Sequence, residues 1–211
     1  MTLVALSASY GAGGSVIGPA LAERLRVPFL DRAVPLAVAD RLQVPYDEAA
    51  AHDGQAGNGG WLERMLTAFM AADPAGLAAL PAETMSAEDF RRATEEVLLE
   101  QASTGTGVLL GRGSVVLLRD DPRALRVRLD GPPDRRARQA LRLVPSLDIE
   151  RAEEARERFD RAHAAYIRQF YDVDIRDPAL YHMVIDSTSI EFEASVELIV
   201  VAVRSALVNR P

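Results

Sequence analysis

The stretch Leu3-Val4-Ala5-Leu6-Ser7-Ala8-Ser9-Tyr10-Gly11-Ala12-Gly13-Gly14-Ser15 decides how the chain is read. Leu3 to Leu6 is a short apolar run that reads as a buried strand. Four small residues, Gly11-Ala12-Gly13-Gly14, then break the pattern. After them Val16, Ile17, Ala20, Leu21 and Leu25 recur at helical spacing. Val27-Pro28-Phe29-Leu30 is a second short strand, with Asp31 at its end. Strand, glycine turn, helix and strand in about thirty residues make a βαβ unit, which implies a parallel sheet.

Further along, residues 32–103 carry helical patterns and loops but no strand signal. Candidate helices are 32–42, 46–51, 61–71 and 86–102, with a glycine-rich loop at 54–60. Trp61, Leu62, Met65, Leu66, Phe69 and Met70 form an apolar stripe that suits a core or a contact between copies of the chain, so a homo-oligomer stays open. Strand signals return at Val108-Leu109-Leu110 and at Leu125-Arg126-Val127-Arg128-Leu129. Helices are expected at 133–143 and 148–170, a last strand at Met183-Val184-Ile185, and a closing helix at 193–207. The pattern is α/β, with a parallel sheet and a helical insert.

At 211 residues, with 48% hydrophobic and 26% charged residues, the composition suits one globular domain. The absence of cysteine excludes thiol catalysis, thiolate metal sites and disulfides, and fits the cytoplasm as the expected compartment. A net charge of −7 argues against a nucleic-acid partner. The apolar run at 198–203 is too short to cross a membrane, so no membrane partner is expected. All 24 basic residues are arginine, and there is no lysine for a Schiff base or a phosphate-binding ammonium. Residues 112–168 hold 14 arginines against 10 acids, whereas the rest of the chain is strongly acidic. That bias suits either a solvated helix surface or a local anion site.

A glycine turn between strand and helix lets backbone N–H groups face an anion, and the helix adds its positive end. The dinucleotide fingerprint G-x-G-x-x-G, started at Gly11, meets Val16 at its third glycine and fails, which disfavours a dinucleotide enzyme. The phosphate-loop pattern G-x-x-x-x-G-K-[ST] fits in part. Gly13 takes its last glycine and Ser15 its hydroxyl, but Ala8 stands at the first glycine and Gly14 at the lysine.

Ser7-x-x-Tyr10-Gly11-Ala12-Gly13-Gly14-x-x-Ile17-Gly18-x-x-Leu21-Ala22, followed by Pro28-Phe29-Leu30-Asp31, resembles the start of the cytidylate-kinase-like family. Further matches follow in order: Leu110-Gly111-Arg112-Gly113, Arg128-Leu129-Asp130-Gly131-Pro132-Pro133-Asp134, Asp160-Arg161 with Tyr166, Asp177-Pro178 with Tyr181, and Val184-Ile185-Asp186-Ser187-Thr188. The resemblance implies a three-layer P-loop kinase fold. It divides the chain into a core of residues 1–31 and 104–211, an acceptor-binding helical insert at about 32–103, and a helical lid at about 133–168. It also implies ATP and Mg²⁺ as cofactors and a nucleotide as small-molecule partner.

On that resemblance, Gly11, Ala12, Gly13, Gly14 and Ser15 bind the donor phosphates, with Ser15 also toward the metal. Arg136 and Arg138 frame the adenine and the lid. Asp31, Arg112, Arg156 and Asp160 meet the acceptor, and Arg158 and Arg161 supply cations to the moving phosphoryl group. The chain departs from the family pattern at His163, where similar kinases carry a third acceptor-facing arginine. It departs again at Gly113, where true cytidylate kinases have Asp, and at Ala8, Ser15 and the missing lysine. Two readings follow. One is a kinase of a nucleoside monophosphate, CMP or dCMP first. The other is a nucleotide-binding or regulatory protein that keeps the kinase fold with weak or no turnover.

Overall fold

A computed structural model of the chain describes residues 2–31, 95, 98–111, 113–145 and 147–208. Five strands form one sheet: β1 (Thr2–Ala8), β2 (Phe29–Asp31), β3 (Thr106–Leu110), β4 (Ala124–Asp130) and β5 (Met183–Asp186). Every pairing is parallel and the spatial order is β2-β3-β1-β4-β5. All five carboxyl ends therefore meet at one edge, and the loops after them share one surface.

Five helices carry labels: α1 (Gly14–Leu25), α2 (Ser114–Leu117), α3 (Pro133–Leu143), α4 (Ile149–Tyr171) and α5 (Phe192–Val208). A 3₁₀ turn lies at Pro178–Leu180. One face of the sheet packs Val4, Leu6, Val108 and Val127 against Ile17 and Leu21 of α1 and Ile199 and Val200 of α5. The other face packs Leu3, Ala5 and Leu109 against Leu98, Val115 of α2, and Tyr166 and Ile167 of α4. The result is three layers with the sheet buried on both faces, which explains why the central strands β1 and β3 carry continuous apolar runs without alternation.

Four of the five strands run one to three residues longer than their apolar cores, because hydrogen bonding continues where hydrophobicity stops. The second strand departs most: pairing begins only at Phe29, after Pro28, which has no N–H to give. Val16, expected on the apolar face of α1, is 39% exposed. Gly18 holds a buried place instead, where a Cβ would fall 2.7 Å from the Phe29 ring. Of the helix expected at 86–102, described residues 95 and 98–102 are helical, and the helix runs on to 103. The helices expected at 32–42, 46–51 and 61–71, and the apolar stripe from Trp61 to Met70, lie outside the described residues. Among those residues, no helix is long and apolar enough to cross a membrane.

Candidate functional site

The glycine loop leaves β1 at the sheet's carboxyl edge and turns into α1. Gly11 and Gly13 lie at φ 75° and 74°, the left-handed region that glycine adopts at no steric cost. Gly13 is also the residue before α1, and no side chain caps that helix. Among the described residues, the amides of Gly11, Gly13, Gly14 and Ser15 donate to no protein acceptor. Ser15 is exposed, so its hydroxyl is open to solvent. Unspent donors at a helix start form an anion cradle. These residues fit a nucleotide phosphate, and Ser15 Oγ can serve one position of a Mg²⁺ ion. Among the described residues, no group of three or more His, Asp or Glu side chains could hold a metal.

The rest of the loop is held from four directions. Arg128 Nη2 donates to Ser9 Oγ at 2.9 Å. Arg136 Nη1 donates to the Tyr10 carbonyl at 2.9 Å, and Asp160 Oδ1 accepts from the Tyr10 amide at 3.3 Å. Gln139 donates to the Gly11 carbonyl at 2.9 Å and Ser187 Oγ to the Ala12 carbonyl at 2.7 Å. The Tyr10, Gly11 and Ala12 carbonyls are thus tied down, while the amides of Gly11, Gly13, Gly14 and Ser15 stay unspent among the described residues.

Beneath these contacts runs a ladder of alternating charge. Arg128 pairs with Asp130 at 2.9 Å, Asp130 lies 3.4 Å from Arg136, and Arg136 pairs with Asp160 at 2.8 Å. Arg128 is 7% exposed and also donates to the Ile175 carbonyl at 3.1 Å. Burial works against its charge, but Asp130 and the Tyr181 hydroxyl outweigh that and raise its pKa. Tyr181 in turn is pushed up by burial, with Arg128 opposing.

Arg136 is therefore a buried structural cation. It was expected to frame the adenine, but its guanidinium is occupied by Gly131, Tyr10 and Asp160. Arg138 is 69% exposed on the outer side of α3 and pairs with Asp134 at 3.5 Å. Asp160, expected at the acceptor, uses both oxygens on Tyr10 and Arg136. Arg156 shares no ion pair with Asp160 despite the i,i+4 spacing. It donates to Glu157 at 3.1 Å, and its buried Nε has no hydrogen-bond partner among the described residues. Arg158 is half-buried close to Tyr10, and Arg161 is exposed. Asp31 ends β2 at the same sheet edge, opposite Leu110. Arg112 lies outside the described residues.

No role follows from sequence for four site-shaping residues, Arg128, Arg135, Gln139 and Ser187, although Arg128 and Ser187 stand inside the family motifs. Arg126 and Arg128 alternate with apolar residues along β4, a pattern that suggests a solvated face, so Arg128 gave no sign of burial. Arg135 holds the loop after β5, donating to Asp186 Oδ2 at 3.4 Å and to Ser189 Oγ. Asp186 also accepts from the Thr188 hydroxyl and amide, and the hydroxyl bond above all draws its pKa down.

A family model, that of the cytidylate kinase-like family, matches residues 3–189. The chain belongs to the cytidylate kinase-like family. Among solved structures, an uncharacterized protein from Eubacterium ventriosum superposes with a TM-score of 0.64 at 16% identity, covering 97% of this chain and 98% of that one. A shikimate kinase from Bacteroides thetaiotaomicron superposes at 0.48 and 15% identity, with 96% and 98% covered. A deoxyadenosine kinase from M. mycoides gives 0.43 and 13%, with 96% and 98% covered. No curated protein matches the chain. The three-layer architecture is the P-loop kinase fold that the motifs imply.

For this cytidylate kinase-like protein, two sequence departures have a visible cause. A Cβ on Gly14 would fall 2.6 Å from the Ala8 methyl, so the usual glycine and side-chain positions of the phosphate loop are exchanged. A Cβ on Gly113 would fall 2.8 Å from the Tyr171 hydroxyl, which itself donates to Glu95 at 2.8 Å. An aspartate at 113 would displace that tyrosine.

Proposed function

We propose that the chain transfers a phosphoryl group from ATP, with Mg²⁺, to a nucleoside monophosphate, CMP or dCMP first. The observation that carries this reading is the row of unspent amides at Gly11, Gly13, Gly14 and Ser15, in a kinase-like family and fold. Phosphoryl transfer asks mainly for alignment and for cations around the moving group. The backbone amides bind the donor phosphates. Mg²⁺, held on the protein side by Ser15, supplies further charge neutralisation when bound. Arg156, Arg158 and Arg161 on α4 supply the mobile cations that no lysine provides. Arg112 and Asp31 serve the acceptor from the ends of β3 and β2. Asp160 and Arg136 act at one remove, by holding the loop.

A second reading, nucleotide binding with little turnover, is favoured by one feature. Asp160 is engaged by Tyr10 and Arg136 and faces no acceptor in this arrangement. The two readings part in one experiment. Purified protein is mixed with ATP–Mg²⁺ and a panel of nucleoside monophosphates, and both melting shift and diphosphate formation are followed. Transfer to CMP supports the kinase. An ATP-dependent melting shift with no transfer to any acceptor selects the second reading.

A further inference from the structure

Tyr10 stands in the middle of the glycine loop, yet its side chain leaves the loop altogether. It packs into the hairpin formed by α3 and α4, against Ala137, Ala140 and Ala152, with Leu141 beside it. Its ring meets the Phe159 ring of α4 with centroids 5.8 Å apart, tilted at 54°. Burial pushes its hydroxyl pKa up, and the Arg158 guanidinium pulls the other way. The buried residues of this cluster are all alanine, so the Tyr10 ring is the largest side chain packed against it.

The backbone on either side of that ring is gripped by the same hairpin. Arg136 and Gln139 of α3 hold the Tyr10 and Gly11 carbonyls, and Asp160 of α4 takes the Tyr10 amide. At Gly11 the helix and the loop touch backbone to backbone, because any Cβ there would run into the Arg136 carbonyl. Ring, amide and carbonyl therefore form one continuous contact between loop and hairpin.

We propose that Tyr10 is a positioning residue that couples the glycine loop to the α3–α4 hairpin. The hairpin cannot swing from the loop without withdrawing the ring from its alanine socket. Loop shape therefore sets where Arg156 and Arg158 stand on α4. The part concerning those arginines rests on the phosphoryl-transfer reading, whereas the coupling itself does not.

The test is amide hydrogen exchange of the full chain, read by peptide, with and without ADP–Mg²⁺. Without nucleotide, Tyr10→Ala should speed exchange over residues 149–171 by about tenfold, while residues 192–208 keep their wild-type rate. Tyr10→Phe, which keeps the ring, should stay near wild type. Tyr10→Leu keeps apolar bulk but loses the ring contact, and serves if the alanine variant does not fold. It should give a smaller acceleration, of about threefold, in the same segment. With ADP–Mg²⁺, wild type should gain protection over 149–171. Tyr10→Ala should lose that gain while binding ADP within about fivefold of wild type, a split that a loss of fold alone would not produce. Wild-type exchange over 149–171 in both the alanine and leucine variants overturns the coupling, as does an acceleration that spreads equally to 192–208. If wild type binds no ADP, the phosphoryl-transfer reading fails, and the nucleotide-free comparison still decides the coupling.

Discussion

The methyl of Ala8 and the empty side of Gly14 occupy one space: a Cβ on Gly14 would fall 2.6 Å from the Cβ of Ala8. In the usual phosphate-loop pattern the first of these positions is glycine and the second is lysine. Here the bulk sits on the strand, and the helix start must be bare. Gly14→Lys alone should therefore cost about 1–3 kcal/mol through overpacking. Ala8→Gly alone should cost about 0.5–1 kcal/mol, as a glycine in a strand does. The double variant should recover most of the lysine's cost, a coupling of at least about 1 kcal/mol in urea unfolding. Additive costs would show that the two positions do not share space.

Removing Gly13 is not a clean way to remove phosphate binding. Gly13 lies at φ 74°, and a Cβ there would strike the Phe192 ring. Gly13→Val should lower stability by more than about 2 kcal/mol. Ser15 is exposed, and its hydroxyl makes no hydrogen bond among the described residues. Ser15→Ala should melt within about 0.5 kcal/mol of wild type while weakening Mg²⁺-dependent ATP binding. Melting curves with and without ATP–Mg²⁺ check both.

Arg128 is the buried end of the charge ladder under the loop. Arg128→Met removes its bonds to Ser9, Asp130 and Ile175 and leaves Asp130 less balanced. A loss of about 3–5 kcal/mol is expected. Arg128→Lys should recover little, because one ammonium cannot reach partners that the guanidinium meets on Nε, Nη1 and Nη2 together. Chemical unfolding of both variants decides this.

The α4 arginines are unequal in their surroundings, and their variants should be unequal in rate. Arg158 is half-buried near Tyr10, whereas Arg161 is exposed. Arg158→Ala should lower turnover with CMP by at least about tenfold, roughly 1.4 kcal/mol in the barrier. Arg161→Ala should cost less. Arg24→Ala serves as a control: it breaks ion pairs to Glu193 and Glu197 across to α5, but such exposed pairs contribute little. Steady-state rates for the three variants check the ranking.

The loop after β5 should respond to acid. The Thr188 hydroxyl bond, with Ser189 and Arg135, holds the Asp186 pKa below the ordinary carboxylate range. A depressed folded pKa means stability that is present above the unfolded value, about 3.9, and lost as pH falls through the folded one. Asp186→Asn should therefore melt below wild type at pH 7, and the gap should close below about pH 4. A gap that stays constant with pH would remove the carboxylate's charge from the explanation.

How much of this was legible in the chain follows from how local each cause is. The βαβ start, the α/β class with its parallel sheet, the span of α3 and the loop's place between β1 and α1 were set by periodicity and glycine, which act over a few residues. Family motifs added the three-layer kinase fold. Tertiary structure alone decided the use of the charges. Nothing in the sequence marks Arg128 and Arg136 as buried, yet both are, because partners such as Ser9 and Asp160 come from distant parts of the chain. Asp160 was equally open to pairing with Arg156 on its own helix, and it took Tyr10 and Arg136 instead. An ion pair within one exposed helix face is weak, whereas a carboxylate that satisfies a loop amide and a buried guanidinium is held by both. Which of two available partners a charge takes depends on burial and approach in three dimensions, and helical spacing carries neither.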